Sequence, residues 1–392
     1  MERHYGMDWL RIGAFALLIL YHIGMVFVPW GFQVKTAQPI VWTEILMLLT
    51  NPWRLTLLFV VSGYASRALF AKSARIGTFV RNRNARLLLP LVFGIAVIVP
   101  PQTWVEVVTQ HGYTGGFWHF YTSDYFRFGT LFGIVMPTWN HLWFVLYLWF
   151  YTLALALLLL ILGSARCQAV FDRVFADSRA VWAPLAFLLV TQFWLFHRVE
   201  DTHAFFDDWI AHLQYFPAML FGFGLAGSKP AMAGLARWWK ASAVLAVGSY
   251  AAIVGLLIAY PDFSFPSHDV TLLYRLVREI EAATAITALI GIAERFGNRD
   301  HRWRATLAEA TFPFYIIHQT AIVLVEFWIK PLDLGALAEF LILVPATVAA
   351  CWGFYLIGRK VNWLRPLIGL KRRPAPAPVV LQNNIRAQPD VA

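Results

Sequence analysis

Arg11 and His22 stand eleven residues apart in the first long apolar stretch of the sequence. On a helix that spacing is about three turns, so both side chains share nearly one face. At ~1.5 Å per residue they lie roughly 16 Å apart along the axis, about half a bilayer. Ionisable groups inside an apolar span are expensive, and each is a candidate for function. Histidine exchanges a proton near neutral pH, which makes His22 the natural base. Plainer readings also fit: Arg11 as a surface anchor paired with Asp8 three residues earlier, and His22 as a buried ring bonded to a neighbouring helix. Arg54 opens the second apolar stretch, His141 opens a later one, and His318 follows Phe312-Pro313, where a helix is expected to break. A basic run, Lys72, Arg75, Arg81, Arg83 and Arg86, precedes the third stretch. Arginines in such a run can grip phosphates in pairs of hydrogen bonds; a loop that only sets membrane orientation fits as well. Ser62-Gly63 reads as a close helix approach rather than as a nucleophile.

These residues are positioned by an all-α, polytopic architecture. The chain is 59% apolar and only 14% charged, too few charges for 392 residues to face water. A span needs roughly 20 mostly apolar residues. Ten stretches fit, near 9–30, 53–71, 87–108, 139–163, 181–198, 209–227, 242–260, 271–294, 309–329 and 337–358. The apolar runs are continuous and do not alternate, which argues against strands. Residues 1–360 form one membrane domain without a repeat, and 361–392 read as a cytoplasmic, partly disordered tail, rich in Pro and Ala from Lys371 onward. The Gly- and aromatic-rich stretch 109–138 is the longest outer loop, placed to cover a site or lie at the interface. The short apolar piece 43–50 before Asn51-Pro52 reads as an interfacial segment.

The net charge is +10, and 25 of the 32 Lys and Arg fall in 1–11, 67–86, 164–180, 228–241, 295–308 and the stretch after 358. That pattern places both termini in the cytoplasm, with the chain crossing the membrane many times; a bacterial inner membrane is expected. The basic charge is therefore topology signalling and attraction to anionic membrane lipid, not nucleic-acid binding. Cys167 and Cys351 offer neither a disulfide framework nor a metal-ligand pair, and no metal is expected. The first apolar stretch is long enough to be a retained anchor rather than a cleaved signal.

Several motifs, in order, resemble the membrane acyltransferase-3 family. Asp8-Trp9-Leu10-Arg11, closing on Tyr21-His22, is similar to its first-span signature. Trp53-Arg54 with Leu58-Phe59-Val60-Val61-Ser62-Gly63-Tyr64 resembles its second-span segment. Arg83-x-x-Arg86 with Pro90 resembles its basic loop, His141-Leu142-Trp143-Phe144 its His-Leu-Trp-Phe element, and Tyr315-Ile316-Ile317-His318 its late Tyr-x-x-His. Within the family the likeness runs to the members that succinylate osmoregulated periplasmic glucans. The resemblance implies O-acyl transfer, succinyl or acetyl, from a cytoplasmic acyl-CoA to a periplasmic or cell-surface glycan, with no bound cofactor. Such transfer needs a base and a group that steadies the oxyanion. The resemblance points to His22 as base or acyl carrier with Arg11 and Asp8 at the catalytic span. It points to Arg81, Arg83 and Arg86 for the donor, and to Arg54, His141 and His318 for the acceptor or the site lining. His203, with Asp208 five residues on, imitates a soluble acyltransferase motif but lies in an outer loop, and is read as chance. The rival class is a glycan or lipid transporter or flippase, which also buries Arg, His and Asp; internal repeats with matching broken spans, its usual mark, are not visible.

The charge asymmetry generates a topology test. Reporter fusions after residues 75, 170, 235, 300 and 370 are expected to read cytoplasmic, and those near 120, 204 and 265 periplasmic; a periplasmic reading at 75 overturns the orientation.

Overall fold

The computed structural model describes residues 4–196 and 204–373; His203 lies outside them. In chain order the helices are α1 (Tyr5–Gly24), α2 (Thr43–Leu48), α3 (Arg54–Ala71), α4 (Ile76–Phe93), α5 (Val99–His111) and α6 (Phe117–His119). A two-stranded hairpin follows, β1 (Gly129–Leu131) and β2 (Ile134–Met136), antiparallel with Thr130 opposite Val135. Then come α7 (Trp143–Leu162), α8 (Ser164–Phe175), α9 (Arg179–Thr191), α10 (Trp209–Leu225), α11 (Lys229–Ala259), α12 (His268–Phe296), α13 (Arg304–Ile329) and α14 (Ala336–Lys360). The fold is all-α, and it is that of a multi-pass membrane protein. Seven helices are long and apolar enough to cross a membrane, or eight if the pair α8 and α9, bent by 86°, counts as one. The expected total of about ten is not reached on this measure, for physical reasons. Helix α10 has only 17 residues. Helix α12 has the length but carries Arg275, Arg278, Glu279 and Glu281 in its body.

Helices α1 and α13 run side by side near the centre, with α3, α12 and α14 against α1 and the pair α4/α7 alongside. The ends that carry the Lys and Arg excess meet at one end of the bundle, called here the basic end. There the Tyr5 N–H donates to Asn298 Oδ1 at 2.8 Å and Arg304 pairs with Asp8 at 2.7 Å. The opposite end is the far end.

Close approach is set by glycine at the α3/α10 crossing. A Cβ on Gly63 would overlap the Met219 carbonyl, and one on Gly222 would overlap the Val60 carbonyl. Without a hydrophobic driving force between helices in lipid, such small-residue contacts supply the packing. Between α4 and α5 the backbone makes a π turn over 94–98. A carbonyl that loses its helical partner at membrane depth must find another. Tyr125 and Tyr121 of the 109–138 segment donate to Ile95 O at 2.8 Å and Ala96 O at 3.1 Å, and Thr320 donates to Ile98 O at 2.8 Å. The loop is thus docked on the helix break by tyrosine hydroxyls. Helix α13 runs unbroken through Pro313, against the break expected there.

Gly63→Ala is expected to lower the detergent melting temperature by overpacking, a cost of about 1–3 kcal/mol. Gly77→Ala, where an added Cβ meets nothing within 4 Å, serves as the control. Equal melting of both variants would refute the close crossing.

Candidate active site

Two cavities lie along α1, one toward each end. The far cavity, of about 370 Å³, is lined by His22, Arg54, His141, Gln33, Asn140, Gln319 and the aromatic rings of Tyr21, Phe32, Trp139 and Trp143. The basic-end cavity, of about 450 Å³, is lined by Arg11, Arg83, Arg86, Arg365 and Lys371, with Glu309 the one carboxylate. The one-face relation of Arg11 and His22 holds in three dimensions: the same stripe of α1 puts one in each cavity.

His22 is half-buried, and both of its hydrogen-bonding contacts run through Nδ1, to Leu18 O at 2.9 Å and to His318 Nε2 at 3.2 Å. His318 is fully buried, and its Nδ1 lies 2.6 Å from Tyr315 O. A carbonyl can only accept, so His318 carries its proton on Nδ1, and its Nε2 is an acceptor. The matching proton sits on His22 Nδ1, shared between Leu18 O and His318. His22 Nε2 then keeps its lone pair in the far cavity. That is the nitrogen a base or nucleophile needs.

His141, buried at the start of α7, is held at both nitrogens. Its Nε2 donates to Ile316 O at 3.0 Å, and Gln102 approaches its Nδ1 at 3.4 Å. Gln102 also donates to Thr320 and accepts from Gln319. With both nitrogens occupied, His141 is a wall of the site rather than a free base. Arg54 lies with its guanidinium 3.4 Å from the centroid of the Tyr21 ring, and the Tyr21 hydroxyl accepts from Asn51 at 2.7 Å. The Lys35 ammonium donates to the carbonyls of Met25, Val28 and Trp30, which folds the segment bearing Phe32 and Gln33 over the cavity.

At the basic end Arg83 is buried and donates to Thr152 Oγ1 from Nε and Nη2 at 3.3 and 3.2 Å. Arg86 has no hydrogen-bond or ion-pair partner among the described residues. Arg81 points away, exposed on the surface. Arg11 donates to Ala308 O at 3.3 Å. Asp8 lies outside both cavities, in its ion pair with Arg304. The chain after α14 turns back beneath the bundle. Arg365 is buried there, donating to Lys371 O, to Arg359 O and to Glu309. Gly369, at φ +78°, lies against Phe312, where a Cβ would collide with the ring.

Sequence reasoning singled out Arg11, His22, Arg54, Arg83, Arg86, His141 and His318, and the fold gathers them around these two cavities. It missed Gln102, Gln319, Gln33 and Asn140, because a search for costly charges in spans passes over neutral amides. It missed Arg365 and Lys371, because a basic stretch after the last span looks like any topogenic one.

An acyltransferase domain, that of the acyltransferase-3 family, matches residues 4–356. The chain belongs to the acyltransferase-3 family. Among curated relatives, the glucans biosynthesis protein C of Salmonella paratyphi B, Salmonella agona and Salmonella enteritidis are each 27% identical over 150 residues, which is 37% of this chain and 36% of theirs. The match thus spans about a third of the length of those relatives. No solved structure matches the chain.

His318 lines neither cavity and reaches the far one through its contact with His22. His318→Phe removes the acceptor for His22 Nδ1–H and is expected to lower kcat by about 10–100-fold with KM for the donor near normal, a fraction of what a positioned acid–base group supplies. His318→Gln, which keeps an acceptor, is expected to recover part of the loss. A uniform loss of folded protein in both variants, with specific activity intact, would make the residue purely structural.

Proposed function

We propose that this acyltransferase carries a short acyl group from a cytoplasmic acyl-CoA to a hydroxyl of an extracytoplasmic glycan, with His22 at the point of transfer. It sits in the bacterial inner membrane with both termini in the cytoplasm. The observation that carries the reading is the single face of α1 that presents Arg11 to a cationic cavity at the basic end and His22 to an amide- and aromatic-lined cavity at the far end. The cations of the first suit the phosphates of CoA, which Arg holds by paired hydrogen bonds. The Trp rings and amides of the second suit a sugar, whose faces stack and whose hydroxyls donate and accept. The relatives are glucans biosynthesis proteins, which favours a glucan as acceptor. The Arg54 cation in the far cavity favours succinyl, whose free carboxylate it can meet, over acetyl.

The reaction then follows from the tautomer. His22 Nε2 takes the proton of the acceptor hydroxyl as the oxygen attacks the thioester carbonyl. The tetrahedral intermediate expels the thiolate, which receives that proton, leaving an ester and free CoA thiol. In the carrier variant Nε2 itself attacks first, and the hydroxyl then displaces the imidazole. Arg54, which lines the same cavity, supplies the cation for the oxyanion.

His22→Ala is expected to leave expression and detergent stability near normal while glycan acylation falls at least ~10²-fold, the lower end for a positioned acid–base group. His22→Gln keeps a polar side chain but cannot take the proton, and is expected to fail as badly. Acyl transfer and folded yield measured on both variants decide the matter: a Gln variant with most of its activity sinks the assignment. Wild-type protein that moves glycan without consuming thioester would favour the flippase.

A further inference from the structure

The two cavities stop at the same three rings. Phe15 bounds the basic-end cavity, Tyr315 the far cavity, and Phe144 both. The ring centroids are 5.6 Å apart for Phe15 and Tyr315, 5.8 Å for Phe144 and Tyr315, and 6.3 Å for Phe15 and Phe144, all edge-on. The three form a closed triangle across the waist of the bundle. Phe15 comes four residues after Arg11 and seven before His22, on the stripe of α1 that joins the cavities. Tyr315 is pinned, because its hydroxyl donates to His141 O at 2.5 Å. Phe15 and Phe144 are hydrocarbon rings with no polar anchor, and Phe144 borders open volume on both sides.

We propose that Phe144, with Phe15 beside it, sets the largest acyl group that reaches His22. This rests on the reading of His22 as the transfer site and of the basic-end cavity as the donor site. With the CoA phosphates held among the arginines, the acyl end leads the donor toward His22 Nε2 and must pass the triangle. Rotation of Phe144 opens the passage, whereas the pinned Tyr315 stays. Beyond the triangle, the acyl group shares a cavity of about 370 Å³ with the acceptor sugar. Phe144 lines that cavity too, so its ring also bounds the space left for the acyl group beside the sugar. Phe144 is thus a specificity-determining residue whose ring admits short acyl groups and excludes long ones.

The test is kcat/KM of the purified full-length protein for acetyl-, succinyl- and hexanoyl-CoA, in wild type, Phe144→Ala and Phe144→Leu, with folded yield followed by size-exclusion chromatography. In Phe144→Ala the ratio of hexanoyl to the preferred short donor is expected to rise at least ~10-fold, the lower end for one methylene in an apolar pocket. Phe144→Leu is expected to shift the ratio in the same direction by less, and it decides the question if the Ala variant does not fold. A ratio unchanged from wild type in a folded variant overturns the inference while leaving the transfer reading intact. Wild-type protein that consumes none of the three thioesters overturns that reading, and the inference falls with it.

Discussion

The 3.2 Å contact between His22 and His318 joins the two central helices and determines how the site can act. An imidazole whose Nδ1 faces a carbonyl has no freedom in where its proton sits. Tyr315 O fixes His318, His318 together with Leu18 O fixes His22, and the outcome is a lone pair on His22 Nε2. The same short stretch of α13 carries the rest of the network. Tyr315 reaches the His141 carbonyl, Ile316 O receives His141, Gln319 meets Gln102 and Asn140, and Thr320 closes on Ile98 O. One and a half turns of one helix therefore hold α1, α5 and the start of α7 in register around the far cavity.

Lipid as solvent explains why that network is so fully satisfied. A polar group buried among apolar helices has no water to fall back on, so each must find a protein partner. The π turn at 94–98 is tolerated because tyrosines of the 109–138 segment and Thr320 take its carbonyls. Lys35 does the same for the segment after α1, and Arg365 for the turn after α14. In each case a side chain that looks incidental in the sequence ends an exposed backbone group and, in doing so, shapes a cavity wall.

An acyltransferase domain matches nearly the whole chain, and the curated relatives align over only part of their length. What this chain's own geometry adds is a division of labour by charge. Five cations face one carboxylate at the basic end, while Arg54 is a lone cation among the amides, imidazoles and aromatic rings that line the far end. On the proposed function, a polyanionic donor would suit the first and a sugar the second, with the rings of Phe15, Phe144 and Tyr315 between them.

The sequence by itself determined the all-α membrane class, because continuous apolar runs with few charges leave no other solvent, and it placed Arg11 and His22 on one helical face, because 3.6 residues per turn is a local property. It also marked Arg54, Arg83, His141 and His318, since charge or imidazole near an apolar span is costly wherever the helix goes. The number of helices able to cross was less legible: α10 falls short in length and α12 carries Arg275, Arg278, Glu279 and Glu281 in its body. The pairing of His22 with His318, 296 residues apart, the amide ring of Gln102, Gln319 and Asn140, and the return of Arg365 and Lys371 to the basic-end cavity were decided by tertiary structure alone. Neutral amides and a basic stretch after a last span carry no local cost that would single them out. Their meaning comes from what packing brings within hydrogen-bond reach.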